Sequence, residues 1–378
     1  MAGALTAEGA LAAVSTIHSP VATHEQRAAA NAYCDQIKAH PEAALPIADQ
    51  LVAPTAPDTA RHFGLSLFGA VIEQRWHRPG FEAQQAEIKA RILQLMAAGS
   101  GAEPGYVKEK LCGLLSAVGC REWPQRWPDM FDKIFEIGAM GRGQAELAII
   151  ALRLVGEDIM EFNEKLESRR RSDLSQALKL ALPKVLPMVR GLIADSHAAL
   201  CAARQGGAGG LEEAQSCERL LGAGLNLLQS WVGGVLATHL PYTHGLVPLC
   251  VTLVDEPATR VRACECVFLL AQRPIAKMGT GKGEDEVNTA MIEDAKGQLR
   301  ALIAHLSAAE LGAPEVLLLP ENEQQYLFTK RVAMLIATVG DNQLPIFDPP
   351  GRAQEQQQQE LDGKLDTPAT LAGPSWRG

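Results

Sequence analysis

Gly279-Thr280-Gly281-Lys282-Gly283 has the glycines and the lysine of a phosphate-binding loop. Such a loop needs G-x-x-x-x-G-K-[S/T] between a strand and a helix, so that backbone N–H groups cradle the phosphate oxygens. Here Ala276 stands where the first glycine belongs, Gly283 replaces the hydroxyl residue, and the preceding stretch is helical in pattern. The segment reads as a solvated loop. His239 and His244 flank Pro241 at a spacing that does not share one helix face, and they read as polar turn residues rather than zinc ligands. Cys264 and Cys266 are one residue apart, with no second pair to complete a metal site. The eight cysteines (34, 112, 120, 201, 217, 250, 264, 266) therefore read as free thiols of a reducing compartment. Neither a Gly-x-Ser-x-Gly elbow nor a carboxylate pair within an apolar stretch is present. The expectation is a binding protein, not an enzyme, without cofactor or metal.

Two stretches carry binding chemistry. Arg169-Arg170-Arg171, between Ser168 and Ser172-Asp173, is a basic cluster at an expected helix joint. Guanidinium groups pair with phosphate or carboxylate, so the triplet is a candidate contact for RNA or for an acidic partner; a solvated corner needs the same residues. Trp123-Pro124 and Trp127-Pro128 sit four residues apart in REWPQRWPDMF. Indoles serve recognition or packing; at a helix corner the packing role is the simpler one.

The elements that must position these residues are helices. Ala and Leu dominate a composition that is 47% hydrophobic and 5% aromatic, and β-branched runs are short. Residues 6–18 form a first helix with Thr6 as N-cap; Thr23 and Gln26 make a capping box for the next, which runs to about Lys38 with Ala29, Ala32, Tyr33 and Ile37 on its apolar side. Helices follow over 42–53 and from Asp58 through Trp76, the latter with Ala60, Phe63, Leu67 and Val71 inward. An antiparallel pair spans 81–98 and 105–120. Proline fits the first turn of a helix, so the Trp-Pro segment predicts a helix ending near Cys120 and another over about 128–138. Further helices span Gln144 to about Leu166 and then run to about Ala203, with Pro183 and Pro187 expected to kink or split the second. After a glycine-rich connector at 205–210 come helices over 212–238, 241–254, 256–272, 285–308 and 322–340. Residues 346–378, with a Gln run and scattered Pro and Gly, hold too little apolar surface to pack and are expected to be a disordered tail.

Helix pairs recur at roughly 40-residue intervals without strand signals, the period of a HEAT-type α-solenoid. The sequence predicts an all-α superhelix of about six to seven pairs over residues 1–345. A chain of 378 residues is long for one ordinary core, and a solenoid spreads its core along its length. Net charge is −9, so nucleic-acid contact would need a local basic patch. No apolar run approaches the ~20 residues of a membrane span, and the N-terminus has no signal-peptide pattern; the chain reads as cytosolic or nuclear.

VKEKLCGLLSAVG followed by REWPQRWPDMF resembles the N-terminal region of the exportin-5 (HASTY-type) family of the importin-β (karyopherin) superfamily. SPVATHEQRAAANAYCDQIK, RHFGLSLFGAVIEQRW and LRLVGEDIMEFNEKLESRRRSDLSQAL are similar to other parts of that region. The resemblance covers roughly residues 8–345 and implies a nuclear export receptor. Such receptors bind Ran-GTP together with a cargo, here small structured RNA (pre-miRNA or tRNA) or protein, pass pores lined with FG-repeat proteins, and shuttle between nucleus and cytoplasm. They contact Ran through the second helix of each early pair. The residues this places in a Ran-binding strip are Gln26, Arg27, Asn31, Arg61, Gln74 and Lys108, on polar faces that also hold Asp35, Arg75, Glu109 and Lys110. A monomer is expected. Family members are about three times longer than this chain, and the stretch after Pro345 departs from their pattern; a helical-repeat scaffold without a transport role is the competing reading.

Overall fold

The computed structural model describes residues 4–160, 167–205, 210–234, 236, 240–273, 275, 289–308 and 322–342. Among them there are fifteen α-helices and no strand. These are α1 (Ala7–His18), α2 (His24–Ala39), α3 (Pro41–Leu51), α4 (Asp58–Arg75), α5 (Glu82–Ala97), α6 (Gly105–Glu122), α7 (Met130–Gly138) and α8 (Arg142–Met160). Then follow α9 (Ser168–Gln205), α10 (Leu211–Gly234), the single turn α11 (Leu240–Thr243), α12 (Leu246–Val254), α13 (Arg260–Ala271), α14 (Thr289–Ser307) and α15 (Glu323–Asn342).

They stack in two layers. The second layer is an unbroken ladder in which α2, α4, α6, α8, α10, α13 and α15 each pack on the next. The first layer holds α1, α3, α5, α7, α9, α12 and α14, each beside its own partner or its neighbours in the layer. This makes seven pairs of an all-α HEAT-type superhelix, with one continuous apolar core from Ala10 to Val339. Each pair covers its neighbour's apolar face. The central helix α8 is accordingly buried on nearly every side, through Leu147, Ile149, Leu152 and Val155 among others.

Local chemistry sets most helix starts. Thr6 accepts the Gly9 N–H at 3.1 Å, and Thr23 and Gln26 exchange both bonds of the capping box. Other starts differ from expectation. Pro41 opens α3 one residue before the expected start, in the first turn, where a missing N–H costs nothing. The inward face of α2 is Ala30, Cys34 and Ile37, whereas Ala29 and Ala32 are exposed. Gly141 precedes α8, but Arg142 and Gly143 lie within it. Pro183 and Pro187 do not split α9, a single helix of 38 residues. The two prolines are four apart on the exposed side, so the carbonyls that lose donors face water rather than protein. The expected helix over 241–254 is divided at Gly245, whose φ of 69° needs glycine. Residues 346–378, 279–283 and 206–209 lie outside the described residues.

The Trp-Pro corner is a packed turn. Trp123 and Trp127 are buried, and Trp123 meets Phe131 edge to face at 5.1 Å. Neither Pro124 nor Pro128 opens a helix: α6 continues to Glu122 and α7 begins at Met130. The Glu122 carbonyl holds the turn, accepting the N–H groups of Arg126 at 2.7 Å and Trp127 at 3.2 Å. The Trp123–Pro124 peptide is cis.

Between α8 and α10 the backbones approach closely because residue 156 is glycine. A Cβ there would lie 2.3 Å from Nε1 and 3.0 Å from Cδ1 of Trp231, whose indole is fully buried. Gly156→Ala is expected to lower stability by about 1–3 kcal/mol through overpacking. Urea unfolding measures it; an unchanged midpoint would show that α8 and α10 have slack at this contact.

Candidate partner-binding face

The outward side of the second layer is polar on α4, α6, α8 and α10 in succession. Tyr106 of α6 is half exposed and meets His62 of α4 edge-on at 5.5 Å. Burial first, and then the Lys110 charge, hold the His62 imidazole below its usual pKa, so it is neutral in this contact at pH 7. One turn on, Arg153 of α8 reaches both carboxylate oxygens of Glu109 at 2.6 Å and both of Glu157 at 2.9–3.0 Å. Burial works against the Arg153 charge, but the two carboxylates outweigh it and raise its pKa. The triad bridges α6 to α8 and leaves one net negative charge on the face.

Beside it a groove of about 630 Å³ runs between α8 and α10. Arg153, Glu157 and Met160 form one wall, and Asn226, Gln229 and Ser230 the other. A smaller groove of about 390 Å³ follows between α10 and the start of α13, walled by Gln215, Glu218, Arg219 and Arg262. Amides, hydroxyls and charges spread over several helices suit an extended protein surface rather than one small molecule.

The residues expected in the Ran-binding strip are not gathered in one place. Gln26 is spent on the capping box, and Arg27 donates to the Ser19 carbonyl at 2.7 Å, tying α2 back to the end of α1. Gln74 donates to the Lys38 carbonyl of the neighbouring pair, and Arg75 pairs with Glu42 of its own partner helix α3 at 2.8 Å. Arg61 pairs with Asp58 at 3.3 Å and Glu103 at 3.6 Å. Asn31 is exposed. Lys108 is not on the wet side at all. Only 3% exposed, it donates to both oxygens of Glu146 at 2.9 Å and to the Gly101 carbonyl at 2.7 Å. Its one-residue offset from Glu109 turns it toward α8. Tyr106, Arg153 and Asn226 were missed; the row Tyr106, Glu109/Lys110, Gly113, Ala117 at 3–4 spacing was the available signal.

The basic triplet lies at the expected joint between helices, in the first turn of α9. Its members have different roles. Arg169 is exposed. Arg170 closes the corner, donating to the carbonyls of Cys120 at 3.1 Å and Trp123, and to the Gln125 side chain at 2.7 Å. Burial draws the Arg170 pKa down, against the pull of nearby Cys120 and Asp173. Arg171 is half-buried.

Among the described residues no group of three His, Cys, Asp or Glu side chains is placed to hold a metal ion, and no helix is long and apolar enough to cross a membrane. All eight cysteines are free and seven are buried. Burial pushes the thiols of Cys120 and Cys264 up to about 12, far from the thiolate needed for nucleophilic chemistry. His239 and the 279–283 loop lie outside the described residues.

The family model of exportin 1-like proteins matches residues 104–267, which spans most of the face just described. Exportin-5 of Mus musculus is 26% identical over 333 residues, covering 87% of this chain and 26% of that protein. Exportin-5 of Dictyostelium discoideum is 23% identical over 340 residues, 89% of this chain and 28% of that protein. Protein HASTY 1 of Arabidopsis thaliana is 24% identical over 237 residues, 63% of this chain and 19% of that protein. Among solved structures, importin beta superposes with a TM-score of 0.43 at 12% identity, covering 88% of this chain and 42% of that one. The chain spans about a quarter of the length of the exportin-5 relatives.

Proposed function

We propose that this chain, which is similar to the exportin-5 and HASTY proteins and matches exportin 1-like proteins over residues 104–267, is a nuclear export receptor, or the receptor portion that binds Ran-GTP. It works by binding, with no chemical step. Ran-GTP occupies the outward side of the second layer, and cargo, either small structured RNA or protein, binds the same protein in the Ran-GTP state. Each ligand favours the other by linkage. FG-repeat proteins of the nuclear pore are the transient partners, and the chain is a monomer that shuttles between nucleus and cytoplasm. The observation that supports this reading is the polar face from α4 to α10, whose part on α6, α8 and α10 lies within the stretch that resembles exportin 1-like proteins.

A pull-down with GTP-locked and GDP-bound Ran tests it. The GTP form alone is expected to be retained; equal or absent binding would leave a helical-repeat scaffold without a transport role. Tyr106→Ala places the site. A half-exposed aromatic at the centre of an interface is a common hot spot, and its loss is expected to weaken Ran-GTP binding about tenfold, or ~1.4 kcal/mol. Unchanged affinity would put Ran elsewhere on the chain.

A further inference from the structure

One edge of the stack collects positive charge in a chain whose net charge is −9. His77 and Arg78 follow the end of α4, Arg121 lies in the last turn of α6, Arg126 lies in the Trp-Pro corner, and Arg169 and Arg170 lie in the first turn of α9. They form one neighbourhood. Burial first, and then the charges of Arg121 and Arg126, lower the His77 pKa, and the Arg126 charge lies close enough to disfavour that of Arg170. Arg126 donates to the Arg121 carbonyl at 3.4 Å, and Arg170 grips the Cys120 carbonyl beside it.

Among the described residues the carboxylates that act on His77 and Arg170 are Glu122 and Asp173. Glu122 is 2% exposed and consumed by Arg126 at 2.6 Å, Lys89 at 3.5 Å and the Trp76 indole N–H at 2.9 Å. Asp173, one turn along α9, is the carboxylate that faces Arg170.

Part of the charge has a structural reason. Arg121 sits at a helix C-terminus, where the dipole favours cations. The same dipole opposes Arg169, Arg170 and Arg171 in the first turn of α9, at roughly 0.3–1 kcal/mol each. Arg170 recovers this through its carbonyl bonds at the corner. Arg169 is exposed, as are His77, Arg78 and Arg126.

We infer that this edge, presented by His77, Arg78, Arg126 and Arg169, is a docking site for an acidic segment of a partner protein. Neighbouring helices lie 8–10 Å apart, so the ends of α4, α6 and α9 make a row of about 16–20 Å. An extended peptide of about five to six residues spans that distance. Guanidinium groups meet carboxylates bidentately at such a spacing. A nucleic-acid duplex fits less well: three outward guanidinium groups neutralise few phosphates, and the acidic remainder of the chain repels a long polyanion.

Fluorescence anisotropy of a labelled deca-glutamate peptide on the full chain tests the inference independently of Ran. Binding is expected at 50 mM salt, to weaken at 200 mM, and to fall at least tenfold in Arg78→Glu/Arg169→Glu. A glycine-serine decapeptide should not bind. Arg169→Glu alone should weaken binding more than the charge-matched Lys179→Glu on the same helix. Equal affinities for wild type and the double variant, with unaltered melting, would overturn the site. Tighter binding of a 20-base-pair RNA duplex, lost in the same variant, would overturn the acidic segment as occupant.

Discussion

Glu122→Ala is expected to destabilise the protein by about 3–5 kcal/mol, the usual cost of removing one member of a buried ion pair. Glu122 is the last residue of α6, and its side chain is 2% exposed. It accepts the Trp76 indole N–H at 2.9 Å and pairs with Lys89 at 3.5 Å and Arg126 at 2.6 Å. Those partners come from the end of α4, from α5 and from the corner, so one carboxylate joins two successive helix pairs to the turn into the next. Truncation leaves a buried indole N–H without an acceptor and the Lys89 ammonium, 23% exposed, without its anion. Lys89 also lies 5.9 Å from the Trp127 ring centre, a contact that weakens if the ammonium swings out to water. Glu122→Gln keeps an oxygen for Trp76 and loses only the charge, so its cost should fall between wild type and alanine. Urea unfolding of the three proteins gives the ordering. An alanine variant within about 0.5 kcal/mol of wild type would mean that the corner is held by apolar packing alone.

What the sequence made legible, and what it did not, follows from the range of the forces involved. Thr6, Thr23 and Gln26 act within one turn, so their caps could be read directly. The 3–4 spacing of Ala60, Phe63, Leu67 and Val71 reports only that one side is inward, and all four are buried. The two-layer stack followed from repetition of such segments without strand patterns. Pro183 and Pro187 show the limit: a proline's effect depends on which side of the helix loses its donor, and that side is set by tertiary packing. Arg170 and Arg169 are adjacent and identical in type, yet one is a tie to three groups of the corner and the other faces water. Nothing local separates them; only the arrival of α6 beside α9 does. For the same reason nothing local marks Arg27 and Gln74 as inter-helix ties or Tyr106 as an outward group.

Lys108 carries the second large effect, because the structure turns an apparent surface cation into an interior one. Its Nζ donates to both Glu146 oxygens and to the Gly101 carbonyl, so α6 is bound at once to α8 and to the loop before α6. Arg219 of α10 stands 3.8 Å from the same carboxylate, extending the link to the next pair. Lys108→Ala is expected to cost about 3–5 kcal/mol, since Glu146 stays inside with a single distant cation. Lys108→Met/Glu146→Leu removes both charges at similar volume and should recover most of that loss, as buried pairs replaced by apolar groups often do. A double-mutant cycle in urea measures the coupling. Ran-GTP affinity then separates structure from recognition. If Lys108 serves only the stack, the double variant binds as wild type does below its melting range; if the ammonium itself meets the partner, affinity falls although stability has returned, and the face proposed between α4 and α10 must be redrawn to include its interior edge.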